Sequence, residues 1–212
     1  MSDDEYHNLL NLSIYIDTHI LDASDEAAVT LRRLHKEGWI ALARTDVIDT
    51  ELASASTELR DTLTTLSSEY PETLGPMVLG HSRLGASVLA SADDATRLDA
   101  VWSILYPGVN RATARKSHFR DAMHVATAIR YGAYAFVTRD RRILNKHAAV
   151  AEAFNGFRIW SPEEAVAYAF KRISKSRQLH RMEPERGTLP EWPPAAEPES
   201  PPPVESEQTG DR

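Results

Sequence analysis

Short apolar runs alternate with amphipathic stretches along most of this 212-residue chain, and this rhythm constrains the fold more than any other feature of the sequence. The apolar runs are typical of buried strands and fall at residues 12–16, 39–44, 133–138 and 157–160. The stretches with helical spacing fall at residues 25–38, 45–69, 93–106, 118–132 and 161–173. Such alternation favours a mainly parallel sheet with helices on both faces. We therefore expect an α/β fold with three layers, α/β/α, around a mainly parallel central sheet.

Several predicted helices carry recognisable signals at their ends. Gly38 closes the first helical stretch, and glycine commonly ends a helix. Ser161 and Glu164 are spaced as a capping box at the start of the last helix. Thr45 stands where it would cap a single long helix over 45–69.

Two segments depart from the alternation. Glycines punctuate two short apolar runs over residues 76–91, which predicts a small hairpin or an irregular insert. Residues 183–212 hold eight of the twelve prolines, and eight acidic residues against two arginines. Such a segment cannot bury enough apolar surface to offset its ordering entropy, so we expect a disordered tail with polyproline II character. The predicted organisation is one domain over 1–182 followed by the acidic tail over 183–212.

Composition excludes some classes of site and location. The chain has no cysteine, which rules out disulfides and thiolate metal sites. Its first residues are acidic and lack the basic-then-apolar pattern of a signal sequence. No apolar run approaches the ~18 residues that a membrane helix needs. We therefore expect a cytoplasmic protein with no membrane partner. Most of the formal charge of −7 lies in the tail, so the domain is nearly neutral and can hold local basic patches.

Acidic residues follow two of the predicted strands at the point where each ends. Asp17 comes directly after the first strand, and Asp140 lies two residues past the strand over 133–138. Open α/β sheets bind ligands beyond the carboxyl ends of their strands. Asp121 lies in the first turn of the helix that leads into the Asp140 strand, and Glu51 lies on or beside the apolar face of the helix after the second strand. Four segments therefore direct an acid towards one edge of the sheet.

Each of these acids also has an ordinary structural interpretation. Asp17 could cap the next helix, Asp121 could complement a helix dipole, and Glu51 could reach solvent from the edge of an apolar stripe. Clustered carboxylates repel one another and raise each other's pKa, which a protein tolerates when a divalent cation neutralises the cluster. Ligands that are all oxygen favour Mg²⁺ or Mn²⁺ over zinc. The convergence of four acids therefore favours a metal site over four unrelated caps.

Three stretches of the chain resemble the motifs of PIN-domain nucleases, a family that includes the VapC-like toxin ribonucleases. They read "IYIDTHIL", "TDVIDTEL" and "DAMHVATAIRYGAYAFVTRDRRIL". In the last and most specific, an Asp is followed by a small-residue helix ending in Gly-Ala, an apolar strand and Thr-x-Asp, here Thr138 and Asp140. The resemblance covers residues 13–160 apart from the insert. It departs from the family in the first motif, where His19 occupies the place of a common Asn.

The resemblance implies an endoribonuclease that uses Mg²⁺ or Mn²⁺ to hydrolyse phosphodiester bonds, leaving 5′-phosphate and 3′-hydroxyl ends. Its catalytic and metal-binding residues would be Asp17, Glu51, Asp121 and Asp140, with Thr18 and Thr138 in supporting roles. In the second motif Asp46 and Asp49 compete with Glu51. We choose Glu51 because it lies six residues after Thr45, as in the family pattern, and shares the apolar face.

Basic residues flank the predicted site on two segments. Those expected to contact RNA phosphates are Arg115, Lys116, Arg120, Arg139, Arg141 and Arg142. His124, three residues after Asp121, is interpreted as a structural histidine rather than a catalytic one.

Several biological roles remain open at this point. The chain could be the toxin of a type II toxin–antitoxin pair, inhibited by a small antitoxin protein, or a standalone RNA-processing nuclease. It could also be a PIN-like module that binds RNA or a protein without cleaving. Members of the family commonly form homodimers, so a homodimer is a further option. Other enzymes with a strand-end acid fit less well: a haloacid-dehalogenase-type phosphatase needs an Asp where His19 stands, and no Gly-rich phosphate loop follows the first strand.

Overall fold

The computed structural model of the chain describes residues 12–53, 56–82, 87–186 and 189–190. Within these ranges five strands form one sheet in which every neighbouring pair is parallel. The strands are β1 (Ser13–Ile16), β2 (Ala41–Thr45), β3 (Glu72–Thr73), β4 (Ala135–Val137) and β5 (Arg158–Trp160), and their order across the sheet is β3-β2-β1-β4-β5.

The same ranges contain nine α-helices and two short 3₁₀ helices. The α-helices are α1 (Thr18–Leu21), α2 (Glu26–Lys36), α3 (Val47–Leu52), α4 (Thr57–Ser67), α5 (Ala92–Leu105), α6 (Lys116–Arg130), α7 (Arg141–Leu144), α8 (His147–Ala153) and α9 (Pro162–Met182). The 3₁₀ helices cover Arg111–Thr113 and Pro184–Arg186. None of the helices described is both long enough and apolar enough to cross a lipid bilayer.

The sheet is covered by helices on both faces. Ile14 and Ile16 of β1 pack into a core layer that includes α2 and α9, because alternate side chains of a strand point to opposite faces. Tyr15, between them, packs into the other layer, which includes α5 and α6. Strands buried on both faces read as nearly continuous apolar runs, which is how the sequence identified them. The expected three-layer α/β/α fold with a mainly parallel sheet is confirmed.

The register of the central strands brings their ends together. Ile16 of β1 pairs with Val137 of β4, and Val137 pairs in turn with Trp160 of β5. The backbone N–H of Asp17 donates to the Val137 carbonyl over 3.0 Å, just beyond the last β1 residue. The residues that follow β1 and β4 therefore lie next to each other at the carboxyl edge of the sheet.

Helix boundaries follow the sequence signals in two places and depart from them in one. Ser161 and Glu164 form the predicted capping box of α9, and Gly38, with φ +83°, follows the end of α2. The single helix predicted over 45–69 is wrong, because the chain forms α3 and α4 as separate helices there. Thr45 is not a cap. It ends β2, is buried, and its hydroxyl lies 2.6 Å from His124 Nδ1.

The segment over 76–91 was predicted to be a small hairpin or an irregular insert, and it is irregular. Pro76 and Val88 form an isolated bridge in which the two chain directions are parallel, so the described residues contain no hairpin ladder here. Two backbone hydrogen bonds close the base of the segment, from Met77 N–H to the Val88 carbonyl at 2.8 Å and from Val88 N–H to the Gly75 carbonyl at 3.0 Å.

The predicted disordered tail lies mostly outside the described residues, which omit 187–188 and 191–212. α9 ends at Met182, the last residue of the predicted domain. Past that point Pro184–Arg186 form a 3₁₀ helix, and Leu189 packs against the core layer of α2 and α9. The first residues of the predicted tail are therefore part of the folded body.

Gly75 occupies a place where any side chain would collide with buried neighbours. A Cβ on this residue would lie 2.5 Å from Thr127 Oγ1 and 2.9 Å from Asp46 Oδ1, and both partners are buried. Asp46 Oδ1 also accepts the Gly75 N–H over 2.9 Å, so the backbone cannot retreat without losing that bond. We expect Gly75→Ala to lower the free energy of unfolding by about 1–3 kcal/mol through overpacking, as measured by chemical denaturation.

A second substitution separates this steric effect from other causes. Thr127→Ala removes the atom nearest to the added methyl group. The double variant Gly75→Ala/Thr127→Ala should therefore lose less stability than the sum of the two single losses. Strictly additive losses would contradict the collision.

Candidate metal centre

Asp17 is both a helix cap and a member of the predicted site. It follows β1, and its Oδ1 accepts the backbone N–H of Thr18 over 2.7 Å at the start of α1. Its Oδ2 accepts the Thr138 hydroxyl over 2.6 Å across the end of the sheet. Only 9% of the residue is exposed. The predicted helix cap is therefore confirmed for one carboxylate oxygen, and the role of Asp17 as a metal ligand stays a prediction.

Glu51 is the acid of the second motif that lies beside Asp17. Its Oε2 accepts a hydrogen bond from the Thr18 hydroxyl, which links α3 to the start of α1. The two competing acids are held elsewhere: Asp46 accepts the Gly75 N–H, and Asp49 forms an ion pair with Arg44 at 2.8 Å.

His124 completes a compact set of potential ligands. It lies on α6, is 1% exposed, and its Nε2 lies 3.6 Å from Glu51 Oε2. Among the described residues this buried Nε2 makes no hydrogen bond. Asp17, Glu51 and His124 each offer one ligand atom within 4.8 Å of the others, so this triad could hold a metal ion. Two carboxylates with a buried nitrogen beside them are a donor set that fits a divalent cation.

Asp121 and Asp140 lie at the same edge but outside the compact set. Asp121 is one turn before His124 on α6 and accepts a hydrogen bond from the Tyr106 hydroxyl. Asp140 caps α7 by accepting the Arg142 N–H over 2.8 Å, and it also accepts the Arg142 guanidinium. Both acids interact electrostatically with Asp17. The structure therefore brings Asp17 and Glu51 together and places the other two acids around them.

The two acids of the triad hold their charge despite burial. Burial works to raise the pKa of Asp17, but the His19 side chain, the charge of His124 and the Thr138 hydroxyl together lower it. Burial likewise opposes ionisation of Glu51, but the neighbouring His124 and the Thr18 hydroxyl outweigh it, so that its pKa is lowered. Ionised carboxylates at neutral pH are the form that binds metals.

The pKa values of the other ionisable groups at the site are raised in some cases and lowered in others. Burial raises the pKa of Asp121, with the charges of Asp17 and Asp140 adding to it and the Tyr106 hydroxyl opposing. The Arg142 guanidinium lowers the pKa of Asp140. Burial opposes the charged form of His124, but the neighbouring Glu51 carboxylate raises the pKa of this histidine overall.

Thr138 ties two of the predicted acids to each other. Its hydroxyl donates to Asp17 Oδ2 and accepts the backbone N–H of Asp140 over 3.0 Å. Thr18 links another pair of acids, because its backbone N–H donates to Asp17 and its hydroxyl donates to Glu51. Both threonines therefore hold carboxylates in place, and their supporting roles in a reaction stay a prediction.

The basic residues predicted to bind phosphate occupy several environments. Arg115, Lys116 and Arg141 are exposed, and Arg120 is half-buried. Arg139 forms ion pairs with Asp25 and Glu163, and Arg142 pairs with Asp140. Their contacts with RNA stay a prediction.

Three residues that contact the candidate site were not predicted from the sequence to belong to it. The position of His124 could have been predicted, because a spacing of three residues on a helix places it one turn from Asp121. The contact between Tyr106 and Asp121 could not have been predicted, since Tyr106 lies fifteen residues earlier at the end of another helix. Thr45 was interpreted as a cap, and its contact with His124 spans 79 residues of sequence, so no local pattern indicated it.

The exposed side chain of His19 offers a probe of the metal-free site. Its Nδ1 lies 3.8 Å from Asp17 Oδ2, and this carboxylate raises the pKa of His19 to about 9. In the presence of EDTA we expect NMR titration to show His19 losing its proton well above the ordinary value near 6.5. Because the folded pKa is the higher one, the pair stabilises the fold below about pH 6.5, and this contribution is lost as the pH rises through about 9.

Asp17→Asn is the matched control for this titration. It removes the charge with little change in volume, so the pKa of His19 should fall back towards 6.5. An unchanged titration in the variant would show that Asp17 does not set the charge of His19.

Comparison of the chain with protein-family models, with curated proteins and with solved structures gives no match. The function therefore has to be argued from the residues and their geometry.

Proposed function

We propose that this chain is an endoribonuclease that depends on a divalent metal ion, Mg²⁺ or Mn²⁺. The observation that carries the proposal is the triad of Asp17, Glu51 and His124, whose ligand atoms lie within 4.8 Å of one another at the carboxyl edge of a parallel sheet. Asp121 and Asp140 both interact electrostatically with Asp17, which supports including them in the proposed site. Carboxylates concentrated at such an edge match the usual ligand position of open α/β folds.

Oxygen ligands support Mg²⁺ or Mn²⁺ as the cation. Asp17 and Glu51 would hold it, since both have lowered pKa values and are ionised at neutral pH. His124 Nε2 faces Glu51 Oε2 at 3.6 Å, and the Thr45 hydroxyl lies 2.6 Å from its Nδ1. We therefore assign His124 the task of orienting Glu51 through Nε2, with Thr45 holding Nδ1 on its other side.

The bound cation would supply charge stabilisation for the phosphate and would make water more acidic. The protein would supply the positions of the reacting groups. Thr138 and Thr18 fix the carboxylates of Asp17 and Glu51, so neither has to reorganise when substrate binds. The exposed Arg115, Lys116 and Arg141 would take the phosphates on either side of the scissile bond.

Asp121 is the acid best suited to accept a proton. Its pKa is raised, whereas those of Asp17, Glu51 and Asp140 are lowered. An ionised carboxylate with a raised pKa is a stronger base than neighbouring carboxylates whose pKa values are lowered. Water would attack phosphorus, its proton would pass to Asp121, and the bond from phosphorus to the 3′ oxygen would break, with the 3′ oxygen taking a proton from solvent. The products would carry a 5′-phosphate and a 3′-hydroxyl group.

The metal requirement is the first test of this proposal. We expect the purified chain to cleave single-stranded RNA when Mg²⁺ or Mn²⁺ is present, and EDTA to stop the reaction. Cleavage is followed by gel electrophoresis of an end-labelled RNA, which also identifies the product ends. Activity that is undiminished by the chelator would remove the metal mechanism, and binding without any cleavage would favour a PIN-like module that only binds RNA.

Asp17→Asn is the sharpest single substitution. It removes one negative ligand at nearly constant volume, so we expect cleavage to fall on the order of 100-fold or more. Asp61→Asn is its matched control, because the Asp61 side chain is 72% exposed and pairs with Arg60 on α4. The control should cut at the wild-type rate. Equal rates for Asp17→Asn and wild type would reduce Asp17 to a helix cap.

A further inference from the structure

Five aromatic rings form a continuous row beside the candidate site. His81 stacks on Phe119 with ring centroids 4.2 Å apart, and Phe119 contacts Trp102 at 4.6 Å. Trp102 contacts Tyr106 at 5.2 Å, and Tyr106 stacks on His118 at 4.4 Å. We call these five residues the aromatic row. It has a histidine at each end, and it joins α5, α6 and the segment after β3.

The row is buried in its middle and reaches the surface at its ends. Trp102 and Tyr106 are 5% and 7% exposed, whereas His81 and His118 are half-buried. Each of these two imidazoles stacks on one neighbour and still meets solvent. The ends of the aromatic row are therefore where a ligand could extend the stack.

One end of the row is fixed to the candidate site by a hydrogen bond. The Tyr106 hydroxyl donates to Asp121, while the Tyr106 ring stacks on the His118 ring. Burial and the neighbouring Asp121 raise the pKa of Tyr106, which keeps its hydroxyl protonated and able to donate. A ring stacked on His118 would therefore lie near Asp121.

The surroundings of the row carry positive charge. Lys116 and Arg120 lie near enough to His81 to lower its pKa, in addition to the effect of burial. His81 is therefore an uncharged flat ring at neutral pH, with cations beside it. Arg115, next to Lys116, is exposed at the start of α6. Flat rings interleaved with cations match the base and phosphate parts of a nucleotide chain.

We propose that His118 and His81 are base-stacking residues, which bind unpaired bases of the RNA strand next to the scissile bond. The proposal rests on the proposed function for the identity of the strand, and it adds the residues that grip the bases. Unpaired bases present open ring faces, whereas those of a duplex are stacked on one another and are not accessible to side chains. Histidine rings stack with bases, and nearby lysine or arginine takes the phosphates.

The test compares two ligands that have the same phosphates. One is a fluorescent single-stranded RNA heptanucleotide, and the other is its fully abasic counterpart. Binding is measured by fluorescence anisotropy in EDTA, so that cleavage does not interfere. Since base–aromatic stacking is worth about 1–3 kcal/mol per base, the wild-type protein should prefer the normal strand by at least about tenfold.

Substitutions then assign that preference to the histidines. His118→Ala and His81→Ala should each reduce the preference for the normal strand by about fivefold or more, because each removes one stacking surface. His118→Phe keeps a flat ring and should keep the preference. Lys116→Ala should weaken both ligands alike, since it removes a phosphate contact. His147→Ala, an exposed histidine at the start of α8, is the matched control and should change nothing. Circular dichroism of each variant confirms that it is folded.

The outcomes separate this inference from the nuclease proposal. Equal preference in wild type and both alanine variants would overturn base stacking, even if the protein cuts RNA. Failure of wild type to distinguish the two strands would overturn it as well, and so would loss of the preference in folded His118→Phe. A protein that never cleaves RNA, yet loses its base preference in the alanine variants, would support base stacking and refute the nuclease.

Discussion

The hydrogen bond from Thr138 to Asp17 is the contact on which the arrangement of the site depends. β1 and β4 are neighbouring parallel strands, and the residues just past their ends meet at one edge because Ile16 pairs with Val137. A buried carboxylate without a donor would cost roughly 1–3 kcal/mol or more. The Thr138 hydroxyl supplies that donor at 2.6 Å and also receives the Asp140 N–H. This side chain therefore satisfies one oxygen of the buried Asp17 and aligns it with Asp140.

The same principle extends to every acid of the site. Asp17, Glu51, Asp121 and Asp140 each accept a hydrogen bond from a side chain of a different residue, which are Thr138, Thr18, Tyr106 and Arg142 respectively. Their mutual repulsion would otherwise raise all four pKa values. Only Asp121 keeps a raised pKa, because burial and the charges of Asp17 and Asp140 outweigh the Tyr106 hydroxyl. The environment thus divides four chemically similar groups into three acids with lowered pKa values and one with a raised pKa.

The fold was predictable because it depends on patterns that are local in the sequence. Buried parallel strands read as apolar runs, and the capping box at Ser161 and Glu164 lies within four consecutive residues. The strand-end acids Asp17 and Asp140 follow from the same patterns, since the carboxyl ends of parallel strands share one edge. β3 was missed because two residues, Glu72 and Thr73, carry no periodicity.

Contacts between residues that are far apart in the sequence could not be predicted from it. The Thr45 hydroxyl was interpreted as a cap because a threonine before a helical stretch usually is one, yet its partner is His124. The link from Tyr106 to Asp121 depends on how α5 packs against α6, and no spacing rule encodes that packing. The break between α3 and α4 was missed as well, since their residues continue one helical pattern.

The closed base of the segment that begins at Gly75 has a consequence for how such a chain can evolve. Asp46 holds Gly75, and two backbone bonds join Val88 to Met77 and to Gly75, so the base of this segment is closed by residues at its two ends. Sequence changes between these ends need not disturb the contacts that close the base. Under the proposed function, selection could then adjust which RNA strands are bound, through residues such as His81, without altering the acids of the candidate site.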